Sequence, residues 1–397
     1  MRRAPATGVI LAFLVVSYLA LWNATLRFGL PLPFTLANKL LAPWKNYAEM
    51  IFLYFIAFNI ARDEKEQKTV VTIMATVFML IVMREFRSFT ADQGFSYDHR
   101  ATGPFWADGL GANHFGAFIA DYGSLFLGLY LLDKHKYRKW IYLAGFGFCI
   151  YPLFYSYSRG AYAAMLAAIV TLGCLRKPSL LIPVALVVVL WQTVLPSSVV
   201  DRISMTEISA GGSEELEASA AHRIILWEEA ERNFREHTVF GIGFNAFGFT
   251  VPKGELTDTH NFFMKTAAEQ GVIGLLILAA VLIRMLASGW SLYRRGPSSF
   301  HRGLGLGFLG CLAAVVVSNV FGDRWSYFML GSYLWIFWGL IDRARQLQQM
   351  EPATEPLIGP SSAPARIRGL LAANRPPLAR GQAGRSLLSD ETRHGLS

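Results

Sequence analysis

The sequence predicts an all-α, polytopic membrane protein of about ten transmembrane helices. It also predicts one large loop containing an amphipathic helix, and a polar C-terminal tail. Three observations carry this expectation. Of the 397 residues, 53% are hydrophobic and only 16% charged, where a soluble domain carries about 25% charged residues. Apolar runs recur from the N-terminus to residue 342. Lys and Arg alternate in density between successive connections, as the positive-inside rule requires.

The net charge of +9 fits basic cytoplasmic loops and attraction to anionic lipid, and does not imply nucleic acid. Cys149, Cys174 and Cys311 all fall in apolar segments without C-x-x-C spacing, so neither a disulfide framework nor a zinc site is indicated.

Residues 1–22 combine a basic start with an apolar run. With no A-x-A cleavage site following, they are expected to form an uncleaved first helix. A span needs about 20 apolar residues. Candidates lie at 8–22, 47–61, 69–84, 112–132, 140–157, 160–175, 178–195, 262–288, 303–321 and 325–342. Pro31 and Pro33 argue against a full span at 30–42. With the N-terminus inside, the inner connections hold 14 Lys and Arg in 36 residues and the outer ones 13 in 123. Both termini are then expected in the cytoplasm. Residues 1–342 form the membrane domain, and the Arg-, Ala-, Pro- and Ser-rich tail 343–397 reads as disordered.

The longest outer connection, 196–261, is the expected periplasmic loop. An acidic stretch leads into an amphipathic helix near 216–236, where Ala220, Ile224, Trp227 and Phe234 recur at helical spacing. A Gly-rich run from Gly241 to Gly248 follows, and the loop ends at Asp258-Thr259-His260-Asn261.

Arginines on the outer side run against the orientation rule. Arg159 lies between two spans, where a charge at membrane depth costs ~2.5–3.5 kcal/mol and usually serves function. Its fork suits a phosphate or diphosphate; the competing reading is a snorkelling residue that closes a hairpin. Arg223 borders the apolar stripe one turn before Trp227, whereas Arg232 and Arg235 fit a solvated face. Arg84, Arg87 and Arg324 are either supplementary anion contacts or interfacial anchors. His260 follows two potential helix caps, Asp258 and Thr259. At the positive end of a helix dipole a neutral imidazole is favoured and can serve as a general base; a hydrogen-bonded structural histidine is the alternative. Gly241-x-Gly243 reads as a close-approach turn, since no Lys-Ser/Thr follows it. Asn113 reads as a helix cap, with a place in the lining of the same outer cavity as the alternative, and Lys265 and Glu269 read as an intrahelical i,i+4 pair. No Asp-rich metal motif stands out, and no cofactor or metal is expected.

These pieces occur in a particular order: Ser158-Arg159-Gly160-Ala161 between spans, Arg223 with Trp227 on the loop helix, Gly241-Ile-Gly-Phe244, then His260-Asn261 through Glu269-Gln-Gly271-Val-Ile-Gly274. Over about 150–280 this order resembles the O-antigen ligase and polysaccharide polymerase superfamily. The resemblance implies a metal-independent, inverting glycosyltransferase of the bacterial inner membrane, with its active site facing the periplasm. It implies a glycan on undecaprenyl diphosphate as donor, and lipid A–core or a second lipid-linked glycan as acceptor. Arg159, Arg223 and His260 match the family's functional positions. Arg84, Arg87, Asn261 and Trp227 complete the expected substrate contacts. The span count, lower than is typical of the family's ligases, leans towards a polymerase. A lipid-linked glycan transporter and a non-enzymatic component of an export system are the other classes. Clustering of the informative arginines on one face favours the enzyme.

Overall fold

The computed structural model describes residues 4–91, 99–208, 214–251 and 258–350. The expected disordered tail therefore lies almost wholly outside the described residues. Every regular element among the described residues is helical: α1 (Thr7–Arg27), α2 (Leu41–Ile60), α3 (Glu64–Ala91), α4 (Ala112–Leu132), α5 (Arg138–Tyr155), α6 (Arg159–Leu175), α7 (Leu181–Val189), α8 (Trp191–Val194), α9 (Ser197–Ile208), α10 (Glu214–Glu236), α11 (Phe262–Arg295), α12 (Ser299–Val320) and α13 (Phe328–Met350), with short 3-10 turns between some of them.

Among the described residues five helices are long and apolar enough to cross a membrane: α1, α3 over Glu64–Glu85, α4, α11 and α12. Their faces explain the fold. On α1, Ile10, Phe13, Leu14, Ser17, Ala20, Leu21 and Ala24 turn inward at helical spacing, while Leu11, Val15, Leu19 and Leu26 are exposed. An outward apolar face of this kind suits lipid. α4 and α12 are buried along most of their length and pack on one another and on α6. Small residues permit the approach: a Cβ on Gly128 would stand 2.2 Å from the Gly307 Cα.

α13 packs on α2, with the Tyr54 and Trp338 rings 4.9 Å apart. At the end of the bundle away from the cavities described below, Asp342 accepts hydrogen bonds from Tyr54 Oη (2.8 Å), Ser288 Oγ (2.7 Å) and Arg345 Nη1 (2.9 Å). This buried carboxylate thereby ties α2, α11 and α13 together.

Several local expectations need correction. Residues 178–195 are not one continuous helix: Leu190 leaves helical geometry and separates α7 from α8. No residue of α7 is buried against protein. The loop 196–261 contains a helix, α9, that the sequence reading did not anticipate. The inward face of α10 carries Leu226, Glu229, Ala230 and Asn233, whereas Ile224 and Trp227 are exposed. Tertiary packing against Phe247 and Ala268 selects that face, one position away from the stripe the apolar spacing suggested; the Ala220 side chain lies outside the described residues. The final helix continues past residue 342 to Met350.

α11 is interrupted at Gly271, which has φ 64° and ψ −159°. The break releases carbonyls from the i→i−4 ladder. The amides of Ile242 and Gly243 take up the carbonyls of Ala268 (2.9 Å) and Glu269 (2.8 Å), and the Val272 amide donates to Thr238 O (2.8 Å). The Gly-x-Gly run is thus a close-approach turn, as read from the sequence. A Cβ on Gly241 would lie 2.3 Å from the Glu269 carbonyl carbon.

Candidate functional site

The site is built where α5 turns into α6. Tyr157 takes a left-handed φ of 49°, and Ser158 caps α6 by accepting the Ala161 amide at 3.4 Å. A second arginine holds this reversal in place. Arg100 donates from Nε (2.8 Å) and Nη2 (2.5 Å) to the Ser156 carbonyl, and from Nη2 to Asn113 Oδ1 (2.8 Å). Asn113 is therefore not the cap of α4; Gly111 occupies that position, and the asparagine oxygen serves Arg100 instead. Arg159 follows as the first residue of α6.

Arg159 lines a cavity of about 330 Å³, together with Arg223 from α10 and Arg324 from the 321–327 turn. Asn113, Ser158 and Ser318 add polar groups to its wall. Arg324 is buried, at 7% exposure. Asn319 Oδ1 fixes its turn by accepting the amides of Arg324 and Trp325, each at 2.9 Å. Burial holds the Arg324 guanidinium below its ordinary pKa, and the nearby carboxylates of Asp258 and Asp323 oppose that shift. Three converging guanidiniums in a partly enclosed space suit a ligand with several anionic oxygens.

His260 precedes α11 and has a left-handed φ of 51°. The cap of α11 is neither Asp258 nor Thr259. It is Asn261, whose Oδ1 accepts the amides of Phe263 (3.0 Å) and Met264 (3.1 Å). Asp258 instead shapes the histidine: its Oδ1 accepts the His260 amide (3.1 Å), and its Oδ2 lies 3.5 Å from Nδ1. The ring stands within electrostatic range of His114, beside Asn113. Trp227 Nε1 donates to Thr259 O at 2.8 Å, which ties the Arg223-bearing helix to the histidine segment.

Lys265 and Glu269 do not form the expected i,i+4 ion pair, because each has a partner in another segment. Lys265 Nζ reaches Asp323 Oδ2 at 2.9 Å. The two oxygens of Glu269 accept the amides of Asn245 (2.8 Å) and Phe247 (3.2 Å).

The sequence-predicted residues thus fall into groups. Arg159 and Arg223 meet in one cavity, and Arg324 joins them. His260 and Trp227 are not among the residues lining either cavity; Asp258, which holds the His260 amide, is within electrostatic reach of Arg324, and the Asn261 side-chain oxygen is committed to its cap. Arg84 is exposed near the end of α3 and lines neither this cavity nor the second one described below. The Arg87 side chain lies outside the described residues. Arg232 and Arg235 are exposed and pair with Glu229 and Glu231, as a solvated face requires. Arg100 was overlooked in the sequence, where nothing signalled that its fork would meet a carbonyl 56 positions away.

Residues 144–279 match the family model described as O-antigen ligase. The matched segment runs from within α5 into α11 and contains Arg159, Arg223 and His260. The resemblance to the O-antigen ligase and polymerase superfamily is therefore borne out over this part of the chain. No curated protein matches the chain.

Proposed function

We propose that the protein is a membrane glycosyltransferase that moves a glycan from undecaprenyl diphosphate to an acceptor hydroxyl at the periplasmic face. The carrying observation is the single cavity lined by Arg159, Arg223 and Arg324, close to a histidine at a helix N-terminus. The family match supports a lipid-linked glycan as substrate. A chain of ten passes with both termini in the cytoplasm would place this end of the bundle outside.

In this reading the three arginines hold the diphosphate and stabilise the charge that grows on it. The acceptor oxygen attacks the anomeric carbon as the bond from that carbon to the diphosphate oxygen breaks. The bonding pair leaves with undecaprenyl diphosphate, and direct displacement inverts the carbon. The acceptor proton passes to Nε2 of His260, while Asp258 beside Nδ1 orients the ring and stabilises the imidazolium. None of these steps calls on a metal or cofactor. The acceptor is either a second lipid-linked glycan or lipid A–core.

The test is a strain lacking the gene, complemented with wild type, Arg159→Ala or His260→Ala. The two variants should insert normally, fail to restore polysaccharide, and leave lipid-linked glycan to accumulate. Single repeat units on the carrier would identify a polymerase, and long chains on the carrier a ligase. Full complementation by both variants would remove the proposal.

A further inference from the structure

A second cavity, of about 420 Å³, adjoins the first. The 321–328 turn contributes to both: Phe321 and Arg324 to the first, and Asp323, Ser326, Tyr327 and Phe328 to the second. The volume falls within the range of about 300–1,000 Å³ usual for small-molecule sites. Its chemistry differs from that of the first cavity. Among the described residues that line it, the one cation, Lys265, is matched by Asp323 at 2.9 Å, and Glu269 adds a carboxylate whose oxygens are held by backbone amides. A wall with no surplus positive charge is poorly suited to a phosphate. Uncharged polar groups complete it, among them Asn46, Ser326 and Gln270. The rings of Tyr327 and Phe262 supply flat apolar surface.

Gln270 is a buried amide in this wall. It is 6% exposed, and among the described residues its Oε1 has no hydrogen-bond partner. Buried amide oxygens are ordinarily paired; this one is turned toward Gly274 on its own helix, and rotation of the amide about its last, softly restrained torsion would bring it to a bound hydroxyl or N–H. The cavity borders the segment that carries His260, which is not itself among the lining residues. Phe262 and Lys265, the first α11 residues to line it, lie within about a turn and a half of His260 along the chain. Asp258 is within electrostatic reach of Lys265 and Tyr327 on this side and of Arg324 on the other.

We propose that this second cavity is the acceptor subsite, binding an uncharged, hydroxyl-rich sugar through Gln270, Asn46 and Ser326 and presenting one hydroxyl to His260. The assignment rests on the transferase reading above. It divides the labour between two adjoining spaces: a cationic one for the carrier diphosphate and an uncharged one for the incoming sugar.

The test uses the full-length protein in lipid nanodiscs, with variants Gln270→Leu and Asn46→Ala. Asn46 is exposed, so its replacement keeps the test informative if Gln270→Leu fails to fold. Two quantities are measured: binding of undecaprenyl diphosphate by native mass spectrometry, and transfer to acceptor glycolipid extracted from a strain lacking the gene. Both variants should raise the acceptor KM tenfold or more and leave undecaprenyl diphosphate binding within twofold of wild type. An acceptor KM unchanged in every variant that folds would overturn the assignment. So would loss of undecaprenyl diphosphate binding in those variants, which would make the cavity part of the donor site. Failure of the underlying reading looks different: wild-type protein would show neither transfer nor undecaprenyl diphosphate binding, or Arg159→Ala would retain both.

Discussion

Lys265 and Asp323, 58 positions apart in the chain, meet through a 2.9 Å contact between Nζ and Oδ2, with only 17% and 2% of their side chains exposed. The pair fastens the start of α11, next to His260, to the turn that carries Arg324. Breaking a buried pair by removing one partner typically costs about 3–5 kcal/mol. Asp323→Asn should therefore lower thermal stability strongly in nanodiscs, whereas the double replacement Lys265→Met with Asp323→Leu should recover much of the loss. Unfolding curves of wild type and the two variants check this.

The same pair sets a pH dependence. Burial alone would raise the Asp323 pKa, but the adjacent Lys265 cation and hydrogen bonds from Ser326 outweigh it and hold the carboxyl below its ordinary range. A carboxylate depressed in the folded state contributes stability above its unfolded pKa of about 3.9. That contribution is lost as pH falls through the lower folded value. Acid unfolding below about pH 4 should therefore be shallower in the double variant than in wild type.

Arg324 is expected to matter as much as Arg159. Loss of one preorganised charge-stabilising donor typically costs 10²–10³-fold in rate. Arg324→Ala should lower transfer by about that factor and weaken undecaprenyl diphosphate binding. Arg324→Lys should recover little, since a point charge does not reproduce the fork. Wild-type activity in Arg324→Ala would exclude it from the donor site.

Trp227 is a positioning residue, acting on the histidine segment through Thr259. Trp227→Phe keeps an aromatic ring but removes the N–H. A net hydrogen bond contributes about 1 kcal/mol, so kcat should fall by roughly fivefold. Undecaprenyl diphosphate affinity should stay unchanged. A fall in that affinity with kcat intact would place Trp227 in direct substrate contact instead.

Gly271 tests the interruption of α11. A Cβ there would lie 2.5 Å from the Val239 carbonyl carbon, at a φ of 64°. Gly271→Ala should sharply reduce the yield of monodisperse protein. Gly147→Ala meets nothing within 4 Å and should leave the yield near wild type.

What the sequence made legible was local. Apolar runs marked the helices, and Arg159, Arg223 and His260 stood out because charge or imidazole sat at the ends of apolar segments in a recognisable order. Features set by distant packing were not legible. Arg324 looked no different from Arg84 as a residue in a connection; only the fold buries one and leaves the other exposed. Lys265 and Glu269 had the spacing of an ion pair, yet Asp323 and the amides of Asn245 and Phe247 offered better partners. The inward face of α10 shifted by one position because packing against Phe247 and Ala268 outweighed apolar spacing. The break at Gly271 was hidden because one glycine in an apolar run reads as a continuous helix.

Beyond the break at Gly271, α11 continues from Val272 to Arg295, about 36 Å at about 1.5 Å per residue, while a bilayer's hydrocarbon core is about 30 Å thick. The short segment before the break, which follows His260, walls the second cavity, and the longer segment after it is the one that suits the bilayer. Hydrophobic mismatch is relieved by tilting such a helix, and the backbone bonds that bridge the break through residues 238–243 would pass a tilt on to Lys265, Glu269 and Gln270. Acyl-chain length in the surrounding lipid therefore becomes a control on catalytic geometry, and reconstitution in short- and long-chain phospholipids should change turnover without any change in the protein.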